Sequence, residues 1–353
     1  MFDGVTTEIE FREVFFRTMH LFKAKATLSD YYDLNRRYIK TTDTVLFEDG
    51  SVKMDIVPRA FFAPIIDELF EQAFSASELL SENCDMEDIS PCLVFDERTV
   101  IAGINAELDI NVTTIEDART AIEDERYRRL QHLIDTKFTD DKLLILLDAF
   151  KSRNDTLIRS MVTDNAEVYT IFEYVLGILW YKASGRQGKI LDFMKLRHDA
   201  DLLPVTHAAG GDADIVYEYS QAEEYPAHCL LLEATLVDTG NQRNMELEPV
   251  SRHLGQHLLR TGNLNSYCVF AANNLHINVI SDFRYRKTMP YYDNNNYDNR
   301  IDGMKIIPLE IDELKKIVAS GLTYKQLYGI FETAFRSEIP PHLWYGEMVR
   351  DKL

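Results

Sequence analysis

The chain has 353 residues, of which 46% are hydrophobic and 27% are charged, a composition typical of a folded globular protein. Its 58 acidic residues outnumber 38 basic ones and give a formal charge of −20, which argues against a simple DNA-binding module that relies on Lys and Arg. No apolar run is long enough for a transmembrane helix, and the N-terminus lacks the features of a secretory signal. We therefore expect a cytoplasmic protein without a membrane partner, whose four cysteines are reduced thiols.

The N-terminal half is predicted to be mostly helical. Apolar residues recur at helical spacing in three segments, which are residues 5–25, 59–81 and 113–153. Between the first two, alternating apolar residues around Asp49-Gly50 predict a β-hairpin near 43–57. Pro64 is expected to break the first turn of the second helix.

Two positions in the third segment carry helix-start signals. Thr114 with Asp117 is similar to a capping box, and Thr139 or Asp140 is expected to cap the next helix. The sequence SRNDT that follows is typical of a linker. The two predicted domains are therefore a mostly helical N-terminal or linker domain and a second domain, covering residues 1–158 and 159–353.

The C-terminal half combines strands with helices. Three segments are predicted strands and a fourth is a further candidate, namely 214–219, 229–236, 267–272 and 276–280. The predicted helices cover residues 165–184, 246–260, 310–319 and 323–335. The order helix, strand, strand, helix, strand predicts an α/β (α+β) core built on a mixed sheet.

Two acidic residues stand at unusual places in these strands. Asp214 begins one strand, and Glu233 lies inside the apolar run LLLEATL of the next. A buried charge is costly unless it is paired or binds a metal ion, and a hairpin would bring the two side chains together. Mg²⁺ prefers such oxygen ligands. Taken singly, a solvent-facing edge-strand position for Glu233 and a turn position for Asp214 remain open.

Further polar residues lie in the neighbouring segments. Glu173 falls within a strongly apolar predicted helix, and Glu246 begins the helix that carries His253. Taken singly, Glu173 also fits a helix-surface acid, and His253 also fits a surface or core histidine. The loop between the second strand and that helix holds candidate phosphate contacts, namely Asn241, Gln242 and Arg243.

Three segments of this half resemble the cleavage domain of AlwI-like type IIS restriction endonucleases, including their site-specific nicking relatives. They are GGDADIVYEY, LLLEATL and ELEPVSRHL. The stretch DYYDLNRRYIKTTDTV is similar to one that precedes this domain in the same family. The resemblance implies a variant of the PD-(D/E)xK nuclease core, which is a restriction-endonuclease-like mixed sheet flanked by helices. It also implies Mg²⁺-dependent hydrolysis of DNA phosphodiester bonds.

The resemblance also implies a set of metal ligands. The family's strand Asp falls on Asp214 and its strand acid on Glu233, so these two are expected to bind Mg²⁺, for which Mn²⁺ can substitute. The backbone carbonyl of Ala234 would complete the set. The first-helix acid falls on Glu173, which is expected to bind a second metal ion or to orient water.

The family does not place a lysine two residues after the strand acid, and Thr235 stands there in this chain. The later acid of the family pattern falls on Glu246, with His253 following it. These two are expected to position or deprotonate the attacking water, and Gln256 is a third candidate.

The expected partner is double-stranded DNA. Family members with a full recognition module carry more sequence before the DYYDLNRRYIK stretch, so we also expect a DNA-recognition domain, a partner subunit or a dimer. A basic and aromatic patch could contact phosphates or be a solvated helix end, namely Arg36, Arg37, Tyr38 and Lys40. The alternative functions are a non-catalytic interaction subunit with a nuclease fold, or another metal-dependent nuclease or phosphohydrolase.

Overall fold

The structure is a computed structural model, and it describes residues 4–48, 51–73, 87, 90–207, 211, 213–293 and 296–353. The chain forms two compact units. Unit 1 contains Met1–Tyr127 with Asp199–Asp201, and unit 2 contains Arg128–His198 with Leu202–Leu353. This division lies earlier in the chain than the predicted domain boundary at 158/159, which stays a prediction.

Unit 1 is mainly helical. Its elements are α1 (Glu8–Leu21), α2 (Ala24–Lys40), β1 (Val45–Glu48), β2 (Ser51–Met54), α3 (Ile56–Phe62), a 3₁₀ turn (Ala63–Ile65), α4 (Ile66–Ala73), α5 (Glu97–Leu108) and the first part of α6 (Ile115–Lys137). The predicted helix 5–25 ends at Leu21, because Lys23 adopts a left-handed conformation with φ of 47°. Pro64 does break the second predicted helix, and residues 74–81 of that prediction lie outside the described residues.

The predicted hairpin in unit 1 is confirmed. Strands β1 and β2 pair antiparallel, with Val45 opposite Met54, while the Asp49-Gly50 turn lies outside the described residues. A small core of apolar side chains forms between α3, α5 and α6, and its members are Ala60, Val100, Ile101, Ile104 and Ala118.

The basic patch of α2 is not a free set of cations. Lys40 is buried, and its Nζ lies 2.9 Å from Asp199 and 2.6 Å from Asp201. Arg36 and Arg37 both pair with Asp33 on the same helix. Lys40 therefore anchors the end of α2, and of the two interpretations that the sequence left open the structure supports a helix end for this residue and not a phosphate contact.

Unit 2 begins with helices that follow the predicted pattern. After α6 come α7 (Asp140–Lys151), α8 (Asp155–Met161), α9 (Val168–Ala183) and the short α10 (Ile190–Phe193). The side chain of Thr139 accepts a hydrogen bond from the backbone N–H of Lys142, so Thr139 caps α7 as expected. The short strands β3 (Arg197–His198) and β4 (Pro204–Thr206) form a separate antiparallel pair.

A four-stranded mixed sheet forms the centre of unit 2. Its strands are β5 (Ile215–Tyr219), β6 (His228–Thr235), β7 (Tyr267–Ala272) and β10 (Ile306–Glu310), in the order β10-β7-β6-β5. The pair β5 and β6 is antiparallel, whereas β6 with β7 and β7 with β10 are parallel. The fold class predicted from the sequence is thereby confirmed.

The remaining elements of unit 2 connect and flank this sheet. They are α11 (Thr239–Met245), α12 (Leu247–Thr261), α13 (Ile277–Tyr285), β8 (Tyr291–Tyr292), β9 (Arg300–Ile301), α14 (Ile311–Ser320), α15 (Tyr324–Arg336), α16 (Pro341–Trp344) and a π-helix (Tyr345–Arg350). Apolar residues of α12, α13 and β7 share one buried core. None of the helices in the described ranges combines the length and apolar character needed to span a bilayer.

The fourth strand candidate, residues 276–280, is wrong. His276 caps α13, since its side chain accepts a hydrogen bond from the N–H of Asn278. The fourth strand of the sheet is β10, which the sequence pattern did not indicate because Pro308 interrupts it. A short apolar run such as INVI fits either a strand or one side of a helix, and its cap decides between them.

Candidate active site

The hairpin of β5 and β6 brings two of the predicted acids together. Ile215 is paired with Leu232, so the next step of this register sets Asp214 opposite Glu233. Residues opposite each other in an antiparallel pair project to the same face, which makes the two carboxylates neighbours. The backbone N–H of Ala234 donates a hydrogen bond of 2.8 Å to Asp214 Oδ2 and holds this side chain beside the end of β6.

Helix α12 supplies a hydrogen-bond partner for Glu233. His253 Nδ1 lies 2.7 Å from Glu233 Oε1, and only 7% of Glu233 is exposed. Burial raises the pKa of Glu233, and the hydrogen bond with His253 opposes that rise. The second ring nitrogen of His253, Nε2, is also buried, and none of the described residues forms a hydrogen bond with it. The geometry makes His253 an orienting partner of Glu233.

Helix α9 buries a third carboxylate. This helix is buried along almost its whole length, so Glu173 is only 5% exposed. Its Oε2 atom is buried, and no described residue donates a hydrogen bond to it. Burial, with a smaller contribution from the charge of Glu233, raises the pKa of Glu173 to about 8. Burial and the charges of Glu233 and Glu173 likewise hold the pKa of Asp214 well above its ordinary range.

The fourth acid, Glu246, lies at the junction of α11 and α12. Its Oε1 accepts a hydrogen bond of 2.6 Å from the hydroxyl of Thr235, the residue two positions after Glu233. Burial raises the pKa of Glu246, and the Thr235 hydroxyl opposes the rise. Thr235 therefore links the end of β6 to Glu246.

Ionising all four carboxylates at once would be energetically unfavourable. Burial is the main cause of the raised pKa in each, and repulsion from neighbouring carboxylates adds to it for Glu173, Asp214 and Glu246. A divalent cation would offset this cost. Glu173 Oε2 is a suitable ligand for such an ion, because this oxygen is buried and no described residue donates a hydrogen bond to it. Within the described ranges, however, no three His, Cys, Asp or Glu side chains are arranged closely enough to hold one ion. The donor set thus fits an ion that takes one or two side chains and fills its remaining positions with other oxygens.

Two of the four carboxylates, Glu173 and Glu246, line a cleft of about 440 Å³ in unit 2. Its lining includes Glu173, Ala234, Thr235 and Glu246, together with Arg153 and Arg159. Neither arginine is predicted from the sequence as a site residue. Arg153 lies in the segment SRNDT that the sequence predicts as a linker, and Arg159 follows that segment by three residues.

Of the three predicted phosphate contacts between β6 and α12, Gln242 has another role, and those of Asn241 and Arg243 stay predictions. These residues form α11, where Gln242 is fully buried and its side chain bonds Asn274 O and His276 N. Arg243 Nε lies 3.0 Å from Asp282. Gln242 is therefore a structural residue that joins α11 to the start of α13, and this prediction is wrong for it.

Comparison with known proteins places the chain in a family. No curated protein matches it. The crystal structure of the small subunit of the heterodimeric restriction endonuclease R.BspD6I is similar over 59% of this chain and 96% of that subunit, with 18% identity and a TM-score of 0.41. A family described as AlwI restriction endonuclease matches residues 5–317. Because that match covers nearly the whole sequence, the chain belongs to the AlwI restriction endonuclease family of DNA nucleases.

Proposed function

We propose that this protein is a Mg²⁺-dependent endonuclease that hydrolyses phosphodiester bonds of double-stranded DNA, as a type IIS restriction endonuclease or its catalytic subunit. The observation that carries the proposal is that Asp214 and Glu233 lie side by side at the end of one hairpin, with Glu173 and Glu246 near enough for their charges to affect this pair. Two buried carboxylates with two half-buried ones near them are costly unless they act on a cation or a proton. Membership of a restriction endonuclease family supports the choice of DNA as substrate.

Asp214, Glu233 and the backbone carbonyl of Ala234 would hold one Mg²⁺ or Mn²⁺, with Glu173 available to a second ion or to water. When bound, such an ion neutralises charge on the phosphoryl and leaving oxygens and makes water easier to deprotonate. His253 holds Glu233 in place through its Nδ1 contact. Glu246, held by Thr235 and with its pKa raised by burial, accepts the proton of the attacking water.

The proposal includes a second DNA-binding element. The formal charge of −20 is unfavourable for approach to a polyanion, so we propose that most of the DNA affinity and the choice of sequence come from a recognition domain, a partner subunit or a dimer. The carboxylate cluster would then act on DNA that is delivered to it.

Plasmid cleavage tests the catalytic assignment. Supercoiled plasmid is incubated with the purified protein and Mg²⁺, Mn²⁺ or EDTA, and nicked and linear products are quantified. Asp214→Asn and Glu233→Gln should each lower the rate by at least about a hundredfold. Glu218→Gln is a matched control. Glu218 lies on β5, the strand that directly follows Asp214, but its side chain is exposed, so this variant should keep the wild-type rate.

Two outcomes would contradict the proposal. Full activity of Asp214→Asn or Glu233→Gln would remove these residues from the reaction. If the wild type cuts no plasmid, and calorimetry finds no Mn²⁺ binding that depends on Asp214, the chain is a non-catalytic subunit that retains a nuclease fold.

A further inference from the structure

The acidic cleft also contains two positive charges. Arg153 and Arg159 line it together with Glu173 and Glu246. A phosphate that approaches the carboxylates is repelled by their negative charges and by the negative charge of the chain as a whole. An arginine beside such a site offers the local counter-charge that a DNA backbone needs.

Arg153 is held in a defined place. It follows the end of α7 and adopts a left-handed conformation with φ of 55°, which is unusual for a residue other than glycine. Its Nη1 donates a hydrogen bond of 3.1 Å to the carbonyl of Leu236, the residue directly after β6. The guanidinium is thereby tied to the strand that carries Glu233 and Thr235.

The charge of Arg153 is only weakly compensated. Among the described residues, the nearest carboxylate is that of Asp155, and its Oδ1 lies 3.7 Å from Nε, beyond hydrogen-bond distance. The side chain is 47% exposed. Arg159 differs, since its Nη1 bonds Ala166 O and its Nη2 lies 3.0 Å from Glu167. Of the two arginines, Arg153 therefore keeps more donors and more net charge for a ligand.

We infer that Arg153 binds a backbone phosphate of the DNA and positions the strand over the carboxylate cluster. A guanidinium presents parallel N–H donors that match two phosphate oxygens, and such charge-assisted contacts are stronger than neutral ones. Phosphate contacts of this kind fix the register of the DNA without reading its sequence. This inference rests on the proposed function, because the bound strand is the one to be cut.

The test compares Arg153→Gln with Arg300→Gln. Arg300 is a matched control, since it also pairs with an aspartate two residues later, Asp302, and is 52% exposed, yet it does not line the cleft. Cleavage of supercoiled plasmid with Mg²⁺ gives kcat and KM at several NaCl concentrations. Anisotropy of a fluorescein-labelled duplex fragment of that plasmid, in Ca²⁺ buffer, gives binding without cleavage.

Arg153→Gln should raise KM and the dissociation constant about tenfold, while kcat stays within about twofold. The slope of log affinity against log salt should become less steep by about 0.9, the value for one lost phosphate contact. Arg153→Lys should keep the wild-type slope and recover part of the affinity, because it retains the charge without the paired donors. Arg300→Gln should match the wild type in all of these measurements.

The results separate this inference from the proposed function. If the wild type cuts DNA and Arg153→Gln behaves like Arg300→Gln, or loses kcat with an unchanged KM and salt slope, the role of Arg153 is wrong and the endonuclease stands. If the wild type binds the duplex with an Arg153-dependent slope but never cuts, the endonuclease is wrong. If it neither binds the duplex nor cuts, the role of Arg153 is wrong, and the endonuclease is wrong as well when calorimetry finds no Mn²⁺ binding that depends on Asp214. Should Arg153→Gln not fold, a wild-type slope with reduced affinity for Arg153→Lys supports the inference, and an unchanged affinity overturns it.

Discussion

Replacing Glu173 by Gln should stabilise the metal-free protein at high pH, although it removes a buried hydrogen-bonding group. The folded-state pKa of Glu173 is raised to about 8 from its ordinary value of 4.5, chiefly by burial. The folded state therefore binds the proton more tightly than the unfolded state does. The stability that this proton contributes is fully present below pH 4.5 and is lost as the pH rises towards 8.

The magnitude follows from the same two values. A pKa that moves from 4.5 to about 8 corresponds to a loss of at most about 5 kcal/mol once the carboxylate is ionised in both states. Glutamine carries no charge at any pH, so the variant avoids this loss. The difference in unfolding free energy between variant and wild type should grow by about 1.4 kcal/mol per pH unit within this window.

Denaturant unfolding in EDTA, at about pH 5, 7 and 9, measures this difference. Glu347→Gln provides the control, because Glu347 is exposed on the π-helix and its replacement should change stability by less than about 0.5 kcal/mol. A stability difference for Glu173→Gln that is the same at the lowest and highest pH would refute the reasoning. Adding Mg²⁺ at the highest pH should stabilise the wild type more than the variant, since the ion offsets the same charges.

Three other predictions concern the site and the core. Cleavage should decline as the pH falls below about 8 and Glu173 becomes protonated, and higher Mg²⁺ should move the midpoint to lower pH; a midpoint independent of Mg²⁺ would contradict this. His253→Ala removes a hydrogen bond that lowers the pKa of Glu233, so its cleavage midpoint should move to higher pH, and an unchanged pH–rate profile would exclude the orienting role. Gly255→Ala would place a Cβ 2.4 Å from the Tyr291 ring and should cost about 1–3 kcal/mol in thermal unfolding. Gly329→Ala, on an exposed part of α15 with no described atom within 4 Å of the added Cβ, should instead stabilise by up to about 1 kcal/mol, and equal effects of the two changes would contradict the packing argument.

Local patterns account for the parts of the fold that were predicted correctly. The strand that contains Glu233 is a continuous apolar run, and Thr139 is a strong helix-capping residue. Both signals depend on neighbours within a few residues along the chain. The segment 276–280 failed because its apolar run is short, and the deciding contact is a cap at His276.

The sequence by itself determined that the chain has a mixed sheet and that costly acids lie at the end of one hairpin, since strand alternation and the cost of burying Glu233 are local properties. Only the tertiary structure decided which distant groups join them. Glu173 reaches the cluster because α9 is buried in the core, and Arg153 faces the same cleft because Leu236 O holds its guanidinium. Such meetings depend on how helices pack against the sheet, which residue spacing along the chain does not specify.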